Sequence, residues 1–143
     1  VQAEVAQADV LVATAAVADW RPTHASVEKI KKDGSGKTPT LNFTENPDIL
    51  AGVASSERAR NGQLFCVGFA AESHDLLSNA QAKRQRKGVP LLAGNIGPAT
   101  FGQDDNALLL IDAHGTLELP HASKLTLARQ LVEQIAQRLP KLT

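Results

Sequence analysis

Leu64-Phe65-Cys66-Val67-Gly68-Phe69-Ala70-Ala71 is a nearly unbroken run of apolar and small residues. Runs of this kind form strands buried on both faces, the habit of parallel sheets. A stretch rich in lysine and arginine follows, from Ser73 to about Lys87, with Leu76 and Ala80 on one helical face. A second apolar run, Val89 to Ala93, comes next. Strand, helix and strand with short connections predict a βαβ unit with parallel strands and a right-handed crossover.

The flanking segments extend this pattern. Before the unit, Asp9 to Thr14 reads as a further strand buried on both faces, and Val1 to Ala8 as the last turns of a helix. Trp20 to Pro39 lacks periodicity and contains Pro22, Gly34, Gly36 and Pro39, which predicts a mobile loop. Thr40 to Thr44 alternates like a short strand. Asn46-Pro47-Asp48 reads as a helix start: an N-cap candidate, a proline at the first helical position and an acid in the first turn. Ile49, Leu50, Val53 and Ala54 then recur at helical spacing. After the unit, Ala107 to Asp112 and Thr116 to Leu119 flank Ala113-His114-Gly115, a hairpin pattern. Ser123 can cap a final helix with the stripe Leu125, Ala128, Leu131, Val132, Ile135 and Leu139. Alternating strands and helices argue for a three-layer α/β fold.

The 143 residues suit one domain, residues 1–143. Fifteen basic and fifteen acidic side chains cancel, so no overall field favours nucleic acid or a membrane. Cys66 is the only cysteine and excludes a disulfide within the chain, which fits a reducing, cytoplasmic setting. His24, His74, His114 and His121 lack metal-ligand spacing, and no nucleophile elbow is visible. The absence of tyrosine removes the Tyr/Lys chemistry of short-chain dehydrogenases, and the absence of methionine marks Val1 as an unnatural start.

In open α/β sheets, ligands bind beyond the carboxyl ends of the strands. The unusual residues gather at those ends: Thr14 to Asp19, Phe69 to Glu72, and Asn95. Small residues let backbone N–H groups approach a ligand. Asp19 can turn the chain, or hold a metal or a ribose hydroxyl. Phe69 can be core or stack on a base. The helix start at Asn46 can cap or receive phosphate. Lys83 and Lys87 continue the Leu76 and Ala80 stripe, which serves a site or complements the helix dipole. Lys29, Lys31, Lys32 and Lys37 are either solvated or able to close over an anion.

Ala15-Ala16-Val17-Ala18-Asp19-Trp20, Glu28-Lys29-Ile30-Lys31-Lys32, Asn46-Pro47-Asp48-Ile49 and Val67-Gly68-Phe69-Ala70-Ala71-Glu72 resemble the bacterial phosphopantothenoylcysteine synthetase family. Lys83 to Lys87, Ala93-Gly94-Asn95 and Asp105-Asn106-Ala107 match in the same order. Trp20 stands where tyrosine or another aromatic is expected.

The resemblance implies a Rossmann-like, mostly parallel sheet with a C-terminal β-hairpin and helix. It also implies that the N-terminal strands of the full domain, and a flavin (FMN)-dependent decarboxylase half, lie outside this chain. The implied reaction is CTP- and Mg²⁺-dependent ligation of 4′-phosphopantothenate to cysteine through an acyl-cytidylate, by a homodimer. The implied nucleotide site comprises Ala13, Thr14, Ala15, Asp19, Lys29, Pro47, Asp48, Ile49, Leu50, Phe69, Lys83 and Lys87. Asp19 is the metal candidate, Ala15, Ala16 and Lys29 touch the acid substrate, and Lys29 is the catalytic clamp. The alternative is a truncated, non-catalytic nucleotide-binding or interaction module that uses the same cleft.

Overall fold

A computed structural model describes residues 1–26, 28–32, 34–72, 75–96 and 102–139. After a 3₁₀ turn at Glu4–Ala6 come β1 (Val10–Ala13), β2 (Trp20–Pro22), β3 (Phe43–Glu45), α1 (Ile49–Ala54) and α2 (Glu57–Arg60). These are followed by β4 (Phe65–Glu72), α3 (Leu76–Lys87), β5 (Leu91–Ile96), β6 (Asp105–Ile111), β7 (Thr116–Ser123) and α4 (Lys124–Arg138). Two compact units result: Val1–Thr14 with Ile49–Thr143, and Ala15–Asp48.

The larger unit contains a five-stranded sheet in the order β1-β4-β5-β6-β7. β1, β4 and β5 pair in parallel, whereas β6 pairs antiparallel to both β5 and β7. Four of the five strands therefore point the same way. The expected βαβ unit is β4-α3-β5, and the expected hairpin is β6-β7. Ser73, the expected start of the helix, lies outside the described residues.

Alternation along β4 and β5 supplies both faces of the core. Cys66, Ala70 and Leu92 pack on one side with Val53 and Ala54 of α1 and Ala80 of α3. Val67, Leu91 and Ala93 pack on the other with Leu127, Leu131 and Ile135 of α4. This gives helix, sheet and helix layers. Gly68 marks a close approach: a Cβ there would stand 2.7 Å from Leu92 Cδ1 and 3.0 Å from Leu50 Cδ2.

Several expectations need correction. In α4 the buried row is Leu127, Leu131 and Ile135, while Leu125 and Val132 are each 63% exposed and Ala128 is also exposed. The helix carries two apolar rows, and contact with Leu108, Leu110 and Leu119 selects one. The expected cap is present, with Ser123 Oγ accepting from the Thr126 N–H at 3.2 Å. β1 is only half-buried, with Val12 37% exposed, because it has β4 on one side alone in the described sheet.

The amino-terminal segment forms one 3₁₀ turn. It is docked by Arg58 of α2, which donates to the carbonyls of Val5, Ala6, Ala8 and Gln63. α2 itself, capped by Ser56, was not expected. The smaller unit contains the antiparallel pair β2 and β3, so Trp20–Pro22 is a strand rather than part of a loop. Twenty residues separate the two strands, a pairing that local periodicity does not reveal.

Candidate functional site

Parallel pairing of β1, β4 and β5 brings their carboxyl ends to one sheet edge. That edge is stepped. β1 stops at Ala13, opposite Gly68, while β4 continues through Glu72, with Ala71 opposite Asn95. Thr14 follows on the exposed side of the step. Because Gly68 lacks a side chain, Leu50 of α1 packs close beside it. Within the larger unit the fold thus brings together Ala13, Leu50 and the β4 segment containing Phe69.

Phe69 does not end its strand. Three residues of β4 follow it, and its ring is half-buried against the core that includes Val67 and Leu91. The apolar run to Ala71 fits this extent, and pairing with β5 carries the strand through Glu72. α1 is six residues long and starts at Ile49, later than the Asn46-Pro47-Asp48 signal suggests.

Lys83 and Lys87 are half-buried on the same side of α3 as Ala80, as their spacing predicts, while Gln85 and Arg86 are exposed. Leu76 approaches Gly94, and the far end of α3 returns to Val89 through the Val89 N–H to Arg84 carbonyl bond. At 1.5 Å per residue, Lys83 and Lys87 lie about 10 and 16 Å along the helix from Leu76, away from the stepped edge. Both lysines make polar or ionic contacts there.

The smaller unit carries Ala15, Ala16, Asp19, Lys29, Pro47 and Asp48, all exposed. Lys29 lies in a segment without regular secondary structure, near the turn in which Ser26 Oγ donates to the Glu28 carbonyl at 2.6 Å. Asp19 immediately precedes β2, and its carbonyl accepts from the Asn46 N–H at 2.7 Å.

Sequence reasoning assigned no role to the side-chain bonds around this turn. Asn46 Nδ2 donates to the Ala18 carbonyl at 2.7 Å. Its Oδ1 accepts from Arg21 Nη1 at 2.8 Å, and the same guanidinium nitrogen donates to the Glu45 carbonyl at 3.1 Å. Asn46 thus ties the Ala18-Asp19 turn to the residues before Pro47, rather than capping α1. The partners lie 25 and 28 positions apart, so no local motif announces them.

Cys66 and Asp112 have shifted equilibria. Burial pushes the Cys66 thiol up, which suits an inert core residue. Desolvation opposes ionisation of Asp112, but bonds from the His114 N–H, Arg138 and the Gly115 N–H hold its carboxyl below the usual range. Asp112 follows β6, which runs antiparallel to β5, so it belongs to the sheet edge opposite the step.

The model of the DNA/pantothenate metabolism flavoprotein C-terminal domain matches residues 1–139. The chain belongs to this family. The Coenzyme A biosynthesis bifunctional protein CoaBC of Vibrio cholerae is 37% identical over 142 residues, covering 97% of this chain and 35% of that protein. Its Mycobacterium tuberculosis counterpart is 44% identical over 140 residues, covering 90% and 32%. The chain therefore spans about a third of the length of those curated relatives.

The crystal structure of the C-terminal domain of CoaBC superposes with a TM-score of 0.72 at 24% identity, covering 96% of this chain and 58% of that one. The DNA/pantothenate metabolism flavoprotein from Streptococcus pneumoniae gives 0.71 at 16% identity, with 95% and 66% covered. These likenesses show the shared fold of the family, a mixed α/β structure with a mostly parallel central sheet.

Proposed function

We propose that this chain carries the ligase chemistry of coenzyme A biosynthesis, joining 4′-phosphopantothenate to cysteine at the expense of CTP. The stepped carboxyl edge carries the reading. In a family whose relatives are named for coenzyme A biosynthesis, it sets Ala13, Thr14 and Leu50 where an α/β sheet receives ligands.

In this reading the substrate carboxylate attacks the α-phosphate of CTP, forming an acyl-cytidylate and releasing pyrophosphate. The amine of cysteine then attacks the acyl carbon and displaces CMP, forming the amide. No side-chain nucleophile is required, since the substrate supplies its own.

The difficulty is electrostatic. Two anions must meet, and cations must offset their repulsion. Ala13, Thr14 and Ala15 let backbone groups approach the nucleotide, and Pro47, Asp48, Ile49 and Leu50 line it. Phe69 completes the edge, and Lys83 and Lys87, set back from it along α3, contribute positive charge at longer range. Ala15 and Ala16 border the acid substrate. Lys29, exposed in an irregular segment, closes over the reacting anions and shields the acyl-cytidylate from water.

Among the described residues, no group of three or more His, Cys, Asp or Glu converges on a metal site. A single carboxylate, Asp19, fits Mg²⁺ arriving on the triphosphate, since that ion takes one or two protein carboxylates together with phosphate oxygens and water. When bound, Mg²⁺ neutralises charge on the triphosphate.

A homodimer belongs to the same reading. Trp20, Pro22 and Phe43 share one face of the β2-β3 pair, with Trp20 61% and Phe43 56% exposed, and an interface would cover that face.

Melting the chain with CTP and with ATP, each with Mg²⁺, tests the nucleotide assignment. Occupancy at a hundredfold excess over Kd stabilises by about 2.7 kcal/mol, and CTP should raise Tm more than ATP does. Equal shifts overturn the assignment. Lys29→Gln should lower amide formation by on the order of a hundredfold while leaving CTP binding mostly intact. Unchanged turnover removes Lys29 from the mechanism.

A further inference from the structure

The bonds between the Ala18-Asp19 turn and the strand before Pro47 meet at two side chains. Asn46 spends both ends of its carboxamide, donating to the Ala18 carbonyl and accepting from Arg21. Arg21 also donates to the Glu45 carbonyl. The backbone adds the Asn46 N–H to Asp19 carbonyl bond at 2.7 Å, one rung beyond the Trp20 and Glu45 pairing.

A ribbon of two three-residue strands is marginal on its own. Yet Ala18, Asp19 and Arg21 are fixed to Glu45 and Asn46, the residues just before Pro47-Asp48, by four hydrogen bonds within the smaller unit. Asn suits this position better than its isosteres. Aspartate would set a carboxylate oxygen against the Ala18 carbonyl, and leucine would satisfy neither partner.

We propose that Arg21 and Asn46 are positioning residues, a clasp that holds Asp19 at a fixed distance from Pro47-Asp48 so that both meet one nucleotide. The proposal rests on the CTP reading above. Neither side chain is among the residues that the CTP reading places on the nucleotide. Their contribution is pre-organisation, which removes the ordering cost that binding would otherwise bear.

Trp20 is the only tryptophan and lies between Asp19 and Arg21, so its fluorescence reports on this turn. Titration of the chain with CTP and Mg²⁺, followed at Trp20 and by calorimetry, gives the affinity. Asn46→Ala and Arg21→Ala should each weaken binding about tenfold, the effect of losing one or two well-placed hydrogen bonds. The double variant should be little worse than the worse single variant, because the two residues act through one bond. Asn46→Asp keeps the Arg21 pair and repels the Ala18 carbonyl, so it should fall with Asn46→Ala. Arg21→Lys should recover most of the affinity lost in Arg21→Ala, with all variants melting within about 2 °C of the parent.

A parent chain that binds CTP, with variants that bind equally well, overturns the clasp and leaves the CTP reading standing. A parent that does not respond to CTP overturns both. Affinity losses that follow Tm losses, with no recovery in Arg21→Lys, reduce Arg21 and Asn46 to ordinary structural residues and overturn the positioning role.

Discussion

The two units of this chain are held by different forces. The larger one buries apolar side chains on both faces of its sheet, and Val67, Leu91, Leu92, Leu110 and Ile111 are almost fully withdrawn from water. In the smaller unit nearly every residue is exposed, and its two short strands are secured by backbone pairing and the polar clasp at Asn46. The first can tolerate surface change but not loss of volume. The second can lose apolar side chains cheaply but depends on particular hydrogen bonds. Stability thus rests on packing in one stretch of chain and on hydrogen bonds in the other.

Removing volume from the larger unit should produce the biggest effect. Leu92→Ala should lower stability by about 2–5 kcal/mol in urea titrations followed by circular dichroism, since Leu92 is fully buried. A loss below 1 kcal/mol would mean that this core does not carry the unit. Adding volume is the converse. Gly68→Ala should cost about 1–3 kcal/mol, because the new methyl meets Leu92 and Leu50, and a neutral result would show that Leu50 moves aside freely.

A polar contact in the larger unit comes next. Arg138 pairs with Asp112 through Nε and Nη2, both at 2.9 Å, and the hairpin N–H groups of His114 and Gly115 bond the same carboxylate. The folded-state carboxyl is held below its ordinary range, so the pair stabilises at pH above the unfolded carboxyl's value. That stability disappears as pH falls through the lowered folded value. Asp112→Asn should cost about 1–2 kcal/mol at neutral pH and flatten the acid side of a Tm-against-pH profile. An unaltered acid limb would refute the linkage.

The smallest effect belongs to the exposed ribbon. Phe43→Ala should change chain stability by less than about 0.5 kcal/mol in dilute solution. A loss comparable to that of Leu92→Ala would erase the distinction between the units.

Legibility in the sequence follows the same division. The run from Leu64 to Ala71 announces a buried strand because parallel strands need apolar residues on both faces, and the βαβ unit follows from it. Helix phase in α4 was harder. Leu125, Val132 and Leu127, Leu131 form competing rows, and only the facing sheet distinguishes them. β2 escaped notice because Trp-Arg-Pro has no buried residue and its partner lies twenty residues on.

At the candidate edge, the small residues after β1 and the polar Glu72 and Asn95 near the ends of β4 and β5 stand out in the sequence because they break the apolar runs. The spacing of Lys83 and Lys87 gave their side of α3 but not their distance from the edge, which depends on helix direction. The Arg21 and Asn46 clasp left no signature, because hydrogen bonds across 25 residues impose no local pattern.

Arg58 has a mechanical consequence. Of Glu4–Ala6 only Val5 is half-buried against the core, and the guanidinium of Arg58 grips the carbonyls of Val5, Ala6 and Ala8 as well as Gln63, just before β4. A pull applied at Val1 therefore meets this anchor before it reaches the β1-β4 ladder. The load passes through α2 into β4, so tension on the segment before β1 is spread into the sheet rather than peeling β1 from β4. One side chain serves as the strain relief of the domain.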